Sequence, residues 1–443
     1  MSGPASGAAG LAAAGRPGEG RRAVLLVANA AAPYSRGIRV ARSLAEQGWS
    51  VEIAAVLEDG APAEEHEIPG LDVVTRRYAP TGWATRVEGA LPRRDRGGRL
   101  RRLAARGIDL VVKGVLWPVG PRGWWATLRR ELPVADLYHA FGILTLPVAL
   151  SLAEAARRRG RPAVVVYDVI DAILDSNNYH GVPAPVLGWY RRREAGWVRR
   201  CDAVVTVNDQ LADHCARIWP FRGRPTVLLN CQPRWDPPVV RLDHIREAAG
   251  LPAARKVVLF LGRLGRERGL EAADEAVLRL DDSALVMLGF TMHATWAEEL
   301  AAKSRDPRFA GRHVVLPPVH PDAVRDWAAS ADASIIAVPA NSLNQRLSTP
   351  NKFWESLAAG TPVVIGRDLE VMRAIVEAGD LGAVADPADP DDLARALRAV
   401  LEQPPEALAA MRERCLRVCR ERYHWEAAVV PYLALVKGLA PRR

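Results

Sequence analysis

A glycine-rich segment with two arginines is the strongest chemical signal in this 443-residue chain. The segment 262–270 reads Gly-Arg-Leu-Gly-Arg-Glu-Arg-Gly-Leu, between an apolar run and a helical pattern. Glycine lets a backbone approach a ligand closely, and a helix N-terminus presents free N–H groups to an anion. Arg263 and Arg268 add guanidinium groups suited to bidentate phosphate contacts. Because no GK[ST] or GxGxxG pattern is present, the segment predicts a phosphate site of another kind, with an ordinary glycine-rich turn as the alternative.

A second segment, from Ser348 to Val364, carries a carboxylate near the start of a predicted helix. Thr349 is the predicted N-cap and Pro350 the first helical residue, because both residue types favour these positions. Glu355 follows one turn later, where its carboxylate could accept two hydrogen bonds from the vicinal hydroxyls of a ribose. Taken alone, a glutamate at this position is more often an exposed helix residue.

The elements that position these residues alternate between strand and helix patterns. In the first half, residues 23–29 predict a buried strand, Ser35-Arg36-Gly37 a turn, residues 38–47 a helix and residues 51–56 a second strand. Further strands are predicted at residues 135–139, 163–167 and 203–207. Ligands collect beyond the carboxyl ends of parallel strands. The polar residues predicted at such ends are His139, Asp168, Asp171 and Asn208.

A second alternating series follows a proline-rich junction at residues 232–256. Its predicted strands are residues 257–261, 284–288, 313–316, 333–336 and 362–365, with helices at 321–330 and 351–359 and a helical tail from 391. The fold class is therefore α/β, with two doubly wound Rossmann-like domains facing each other across a cleft. The predicted divisions are a disordered leader (1–21), an N-terminal Rossmann-like domain (22–235), a C-terminal Rossmann-like domain (236–420) and a C-terminal helix that crosses back (421–443).

Composition restricts the class of protein further. The chain is 49% hydrophobic and 25% charged, so it can form folded cores. It lacks an uninterrupted apolar run long enough to span a membrane, and its five cysteines form no CxxC pair. These features favour the cytoplasm. No acidic motif suited to a metal is evident, and the acidic run at 386–392 is better explained as a loop with a helix N-cap.

The net charge of +9 is concentrated in one stretch. Residues 86–130 hold twelve Lys/Arg and three Asp/Glu, and Trp83, Trp117, Trp124 and Trp125 lie in or beside them. Such a stretch suits an anionic membrane surface, a polyphosphate ligand or nucleic acid. The equally weighted alternative is a solvated helix face with buried tryptophans. No nucleic-acid-binding motif is present, so no nucleic-acid partner is expected.

Together these segments resemble the family-4 glycosyltransferases of the GT-B fold. The resemblance runs from about Arg22 to Val436 and is most specific in residues 257–364, which include the subgroup pattern PNKxxE.LAAG.PVV. It implies that Arg263 and Arg268 hold the donor pyrophosphate as catalytic groups and that Glu355 holds the ribose. It also implies that further donor contacts come from this motif and the glycine loop. These residues are Gly262, Ser348, Thr349, Asn351 and Lys352.

Weaker matches lie in the first half, at SRGIRVARSLAEQG, ADLYHAFG and VYDVID. They imply a catalytic role for His139 near the reacting sugar. The acceptor-side candidates that they add are Arg36, Gly37, Asp168 and Asp171. Three positions depart from the family pattern, because Leu347 replaces a glutamate and Phe141 and Ile170 each replace a histidine. These changes affect the expected sugar contacts.

The resemblance implies a retaining, metal-independent hexosyltransferase that has no cofactor and uses a nucleotide-diphosphate sugar as co-substrate. The acceptor is unidentified: a small molecule, a natural product or a lipid-linked glycan. The expected location is cytoplasmic, or peripheral at the membrane surface. The alternatives are a sugar-nucleotide epimerase-type enzyme and a non-catalytic nucleotide-sugar-binding protein of the same architecture.

Overall fold

The computed structural model describes residues 20–31, 35–66, 68–80, 122–219, 221, 223–238, 242–291 and 293–439. Within these ranges the chain forms two α/β units, each built on a mostly or wholly parallel sheet. The alternation of apolar strands with amphipathic helices produces this arrangement, because each sheet needs helices to cover both of its faces.

The first unit contains an eight-stranded sheet in the order β3-β4-β2-β1-β5-β6-β7-β8. Its pairs are parallel except β3 with β4, an antiparallel edge pair. The strands are β1 Arg22–Val27, β2 Ser50–Val56, β3 Glu64–Glu65, β4 Val73–Tyr78, β5 Leu137–Phe141, β6 Val164–Val169, β7 Ala203–Thr206 and β8 Thr226–Val227.

Two apolar clusters cover the faces of this sheet, because successive strand residues point to opposite sides. Every residue of β6 is buried, as expected for a strand with helices on both faces. The described α-helices are α1 Ser35–Glu46, α2 Arg122–Glu131, α3 Leu146–Arg158, α4 Ala184–Val198 and α5 Asp209–Ile218.

The second unit contains a six-stranded parallel sheet in the order β11-β10-β9-β12-β13-β14. Its strands are β9 Lys256–Arg263, β10 Ser283–Phe290, β11 His313–Leu316, β12 Ala333–Ile336, β13 Val363–Gly366 and β14 Gly382–Ala385. Its helices are α6 His244–Ala249, α7 Leu270–Leu278, α8 Ala294–Arg305, α9 Val324–Ala329, α10 Leu343–Leu347, α11 Asn351–Ala358, α12 Glu370–Gly379, α13 Pro390–Leu401 and α14 Pro405–Glu421.

The C-terminal helices α15 Trp425–Ala428 and α16 Val430–Gly438 pack against the first unit. Trp425, Val429, Tyr432 and Val436 belong to the same apolar cluster as β1, β2 and β5. The indole N–H of Trp425 donates to Ser43 Oγ at 3.0 Å. In the described ranges, no helix is both long and apolar enough to cross a membrane.

Two local predictions in the first unit are wrong. Ser35, Arg36 and Gly37 form the first turn of α1 rather than a loop before it, and the buried side chain of Arg36 is bonded at this end of the helix. Strand β5 runs over Leu137–Phe141 rather than 135–139, so His139 lies in the middle of the strand and not at its end. Asp136, directly before the strand, accepts from the backbone N–H of Arg22 through its side chain.

Candidate donor and acceptor site

A pocket of about 280 Å³ lies between the two units. The first unit contributes the start of α1 and the ends of β6 and β7, and the second contributes the residues that lead into α11. The lining residues are Ser35, Arg36, Ile170, Asp171, Val207, Asn230, Ser348, Thr349, Pro350 and Asn351. Five of these ten residues carry a hydroxyl or an amide group, and such groups suit a hydroxyl-rich ligand.

The glycine-rich segment after β9 forms a tight turn. Gly262 and Gly269 have φ of 91° and 73°, in the region that favours glycine, and a Cβ on Gly269 would collide with the carbonyl of Ala337. Arg263 forms an ion pair with Glu267 and is 42% exposed. Arg268 lies deeper, and its Nε is 3.4 Å from Glu267 without a hydrogen bond among the described residues.

Three buried polar groups near this turn have no hydrogen-bond partner in the described part of the chain: Arg268 Nε, Lys352 Nζ and Thr349 Oγ1. Burial, and then Arg263, lowers the pKa of Arg268; burial, and then Arg268, holds the pKa of Lys352 well below its usual value. Buried nitrogens of two neighbouring basic side chains that make no hydrogen bond are unfavourable, and a bound anion would supply the missing acceptors. This cluster can therefore hold a phosphate-type ligand.

Helix α11 joins the units as well as contributing to the site. Asn351 Oδ1 accepts from Asn230 Nδ2 at 2.6 Å, and Asn351 Nδ2 donates to Ser35 Oγ at 3.1 Å. Glu355, one turn later, accepts a long 3.5 Å bond from Gln232. Burial raises the pKa of Glu355, and Arg39 is the strongest of the positive neighbours that oppose the shift.

The predicted N-cap of α11 is wrong by one residue. Pro350 occupies the N-cap position and provides no side-chain bond, while the buried Thr349 hydroxyl is left without a partner in the described structure. Ser348 donates its hydroxyl to the carbonyl of Gln345 at 3.0 Å. Both Ser348 and Thr349 line the pocket. Of these two residues, only Thr349 has a hydroxyl without a hydrogen-bond partner in the described structure.

A buried network supports the first-unit side of the pocket. Arg36 binds Asp168 through Nε and NH2, at 2.9 and 3.0 Å, and donates through NH1 to the carbonyl of Leu228. His139 Nε2 donates to Asp168 at 3.2 Å, and its Nδ1 accepts from the Tyr432 hydroxyl at 2.8 Å. This tautomer follows because the Asp168 carboxylate can only accept.

Burial and the neighbouring charged groups determine the protonation of Asp168 and His139. Burial raises the pKa of Asp168, but Arg36 and His139 outweigh it, and the net pKa lies below the usual value. Burial lowers the pKa of His139, so the imidazole is neutral. His139 has 0% exposure, is not among the residues that line the pocket, and is linked to Arg36 through Asp168. Its catalytic role near the reacting sugar stays a prediction.

The remaining acceptor-side candidates differ in position. Asp171 lies on the pocket wall, and Asn344 of the second unit donates to it at 3.2 Å. Burial raises the pKa of Asp171, with Asn344 and Arg268 opposing the shift. Gly37 is buried in α1 and does not line the pocket.

The three positions that depart from the family pattern form apolar contacts. Leu347 is buried in the apolar cluster of the first unit, and Asn208 Nδ2 donates to its carbonyl at 2.8 Å. Phe141 stacks on His139 with ring centroids 4.4 Å apart, and Ile170 lines the pocket. The bonds by which Asn208 and Asn344 join the units were not predicted, although Asn208 was identified as a polar residue at the end of a predicted strand.

Most of the basic stretch, residues 86–121, lies outside the described residues, as do Trp83 and Trp117. Trp124 and Trp125 are in α2, and their indole N–H groups donate to the carbonyls of Ala55 and Leu144 at 3.2 and 3.0 Å. Trp124 is buried and Trp125 packs against the same cluster, so neither is presented as a surface anchor. In the described ranges, no group of His, Cys, Asp or Glu is arranged to hold a metal ion.

The chain is similar to curated glycosyltransferases. It is 24% identical over 429 residues to a D-inositol 3-phosphate glycosyltransferase of Xylanimonas cellulosilytica, covering 92% of this chain and 91% of that protein. It is 30% identical over 209 residues to the protein of the same name in Acidothermus cellulolyticus, covering 45% and 44% of the two chains.

Solved structures share the fold. Sucrose-phosphate synthase of Thermosynechococcus elongatus superimposes with a TM-score of 0.68 at 15% identity, over 95% of this chain and 99% of that one. HepE of Anabaena, in complex with UDP and glucose, gives a TM-score of 0.63 at 15% identity, over 95% and 100%.

The fold and the position of the site define the class as a two-domain α/β protein of the GT-B architecture. Residues 255–403 match the family described as glycosyl transferases group 1. These residues include the glycine-rich turn, Lys352 and Glu355. With its full-length similarity to curated transferases, the chain is a glycosyltransferase.

Proposed function

We propose that this enzyme transfers a sugar from a nucleoside-diphosphate sugar to a hydroxyl of an acceptor bound between the two units. The observation that supports this most directly is a pair of basic side chains beside the glycine-rich turn, Arg268 and Lys352, whose buried Nε and Nζ atoms make no hydrogen bond in the described residues. With both side chains protonated, such a pair matches a diphosphate in charge. The solved structures of HepE, which contain UDP, support the nucleotide part of the proposal.

The proposed reaction breaks the bond between the sugar C1 and the β-phosphate oxygen and forms a bond from C1 to the acceptor oxygen on the same face. The acceptor proton leaves with the nucleoside diphosphate. Arg263, Arg268 and Lys352 stabilise the charge that develops on the leaving group, which is electrostatic catalysis by preorganised groups. Glu355 holds the ribose, and no metal is required in this scheme.

For the acceptor, we propose a small polyol or its phosphate that occupies the 280 Å³ pocket. The curated relatives act, by their names, on D-inositol 3-phosphate, and this makes D-inositol 3-phosphate the first compound to test. The hydroxyl and amide groups of Ser35, Asn230 and Asn351 on the pocket wall are suited to a polyol.

The donor can be identified without the acceptor by thermal unfolding with UDP-, GDP-, TDP- and ADP-sugars. A ligand at 100 times its dissociation constant stabilises the folded state by about 2.7 kcal/mol. We expect one nucleotide series to stabilise the protein, with UDP-sugars tested first, and release of that nucleotide to require an acceptor. If no series binds, the proposal is wrong. Binding without transfer or hydrolysis would favour a non-catalytic sugar-nucleotide-binding protein.

We further propose that the basic residues at 86–130 attract an anionic membrane or lipid-linked acceptor by charge alone, because Trp124 and Trp125 are bonded inside the first unit. Co-sedimentation with phosphatidylserine vesicles should then occur at low salt and disappear at high salt, as the Debye length shortens. Absence of co-sedimentation at low salt would leave a freely diffusing acceptor as the better proposal.

A further inference from the structure

Lys352 is an unusual residue for the interior of a protein, because its ammonium nitrogen is buried and has no hydrogen-bond partner in the described structure. The nitrogen lies 3.6 Å from the centroid of the Phe260 ring, and the side chain passes close to Gly262. An aromatic face attracts a cation, but it replaces only part of the hydration that burial removes.

The charged groups around Lys352 do not compensate for this loss. Arg268 and Arg263 face it from the glycine-rich turn and disfavour its charge, with Arg268 the stronger. Glu355 on the same helix and Glu267 of the turn favour the charge. Glu267, however, is paired with Arg263, and Glu355 accepts from Gln232 near Arg39. No ion pair to Lys352 exists among the described residues.

A buried amine in these surroundings loses its proton more easily than a lysine in water, because only the charged form pays for burial and repulsion. Accordingly, its pKa lies well below the usual value. A bound diphosphate would reverse the balance, since its oxygens would supply both the missing hydrogen bonds and the opposite charge for the ammonium.

We infer that Lys352 is uncharged in the empty site and takes up a proton from the solvent when the donor diphosphate binds, so that donor binding is coupled to protonation of this residue. The proton passes from a buffer acid to the amine nitrogen, which becomes an ammonium. It returns to solvent when the nucleoside diphosphate leaves. The acceptor proton is accounted for separately, because it leaves with the diphosphate. The inference rests on the proposed function.

Calorimetric titration with UDP and GDP tests it, in buffers of low and high ionisation enthalpy between pH 7.5 and 9.5. Free diphosphate is already fully ionised there, because its last pKa is near 6, so a proton taken up must bind to the protein. We expect uptake to approach about one proton per site as pH rises, with affinity falling about tenfold per pH unit beyond the pKa of the empty site.

Lys352→Met should abolish the uptake and weaken binding, and Lys352→Arg should bind without uptake because arginine stays charged. Lys437→Met, the same change at an exposed position of α16, should behave like the wild type. Wild-type binding without proton uptake, or uptake unchanged in Lys352→Met or Lys352→Arg, would overturn the inference while the proposed function stands. If neither nucleotide nor any donor sugar binds, the proposed function itself fails.

Discussion

At the residue scale, Arg268 and Lys352 differ from Arg263 and Arg266 because each has a buried side-chain nitrogen that makes no hydrogen bond in the described ranges. Arg263 and Arg266 each form an ion pair at the surface, with Glu267 and Glu299 respectively. Surface pairs of this kind contribute little to stability. Arg268 has only a 3.4 Å ion-pair contact from Nε to Glu267, so this nitrogen can still donate to a bound anion.

We therefore predict that Arg268→Ala lowers the turnover number by about 10²–10³ and weakens donor binding, because the diphosphate loses a preorganised cation. Folding should be unaffected or slightly improved. Steady-state kinetics and donor titrations measure the effect. Arg266→Ala, two residues earlier and outside the cleft, is the matched control. Wild-type kinetics in a folded Arg268→Ala protein, or an equal loss in Arg266→Ala, would contradict the assignment.

Glu355 allows a second prediction, because its buried carboxylate makes only one long bond of 3.5 Å in the described structure. Glu355→Gln keeps the shape and removes the charge. Hydrogen bonds to charged groups contribute about 1.5–3 kcal/mol, so nucleoside-diphosphate affinity should fall roughly 10–100-fold for every sugar on the same nucleotide.

The 2′,3′-dideoxy nucleoside diphosphates provide the control for Glu355→Gln. They should bind the wild type weakly and lose little more in the variant, because both hydroxyls that would donate to Glu355 are already absent. Equal losses for the ribo and deoxyribo ligands would show that Glu355 acts elsewhere than on the ribose.

The sequence predicted the residues of the glycine-rich turn and of α11 because these contributions are local. Arg263, Arg268 and Glu355 lie within short segments whose strand-turn-helix pattern is visible in the chain. The mid-strand position of His139 was missed because β5 extends two residues beyond it, and its bond to Tyr432, 293 positions away, has no local signal in the sequence. No local pattern carries that information.

At the scale of elements, residues 342–351 of the second unit are fastened to the first. Leu347 packs in the first-unit cluster, its carbonyl accepts from Asn208, and Asn344 Oδ1 accepts from the backbone N–H of Ala172 at 2.7 Å. This segment contains the pocket residues Ser348 and Thr349, so its contacts with the first unit hold one wall of the site in place.

Variants of Asn208 can separate the capping of α5 from the contact between the units, because the two polar atoms of its side chain bond to different elements. Oδ1 caps α5 by accepting from Leu211 N, and Nδ2 donates to Leu347. Asn208→Asp keeps the cap and removes the donor, a loss of about 1–3 kcal/mol. We predict amide exchange about 10–100-fold faster in residues 343–351, with α5 unchanged.

In the control variant Asn208→Ala both functions are lost, so exchange should accelerate in α5 as well. Unaltered exchange of residues 343–351 in Asn208→Asp would mean that the segment is held by Leu347 packing alone.

Strand prediction succeeded where apolar residues dominate the segment and failed where charged or small residues interrupt the pattern. The strands at 313–316 and 333–336 match β11 and β12 residue for residue. Strand β4 was missed because it carries Arg76 and Arg77, which the fold neutralises with Glu64 and Glu65 of the edge strand. Strand β14 was missed because its sequence, Gly-Ala-Val-Ala, is short and only weakly apolar.

At the scale of the whole molecule, the first unit is completed by the end of the chain. Tyr432 of α16 is fully buried in the first-unit cluster, and Trp425 bonds to Ser43, 382 positions earlier. The C-terminal helices come after the second unit in the sequence but pack in the core of the first unit. They therefore connect the two units. Through His139 and Asp168, the same helices support the orientation of Arg36.

We predict that Tyr432→Phe lowers the free energy of unfolding by about 1–3 kcal/mol, because it leaves the buried Nδ1 of His139 without a donor. Urea unfolding followed by tryptophan fluorescence measures the loss. Tyr423→Phe is the matched control, since the Tyr423 hydroxyl has no hydrogen-bond partner in the described ranges and its ring packs on Trp354. Acceptor KM should rise in Tyr432→Phe while donor affinity is retained, because the network supports Arg36 and not the diphosphate site. If both variants lose the same stability, or if donor and acceptor binding weaken together, the network does not act on the acceptor side alone.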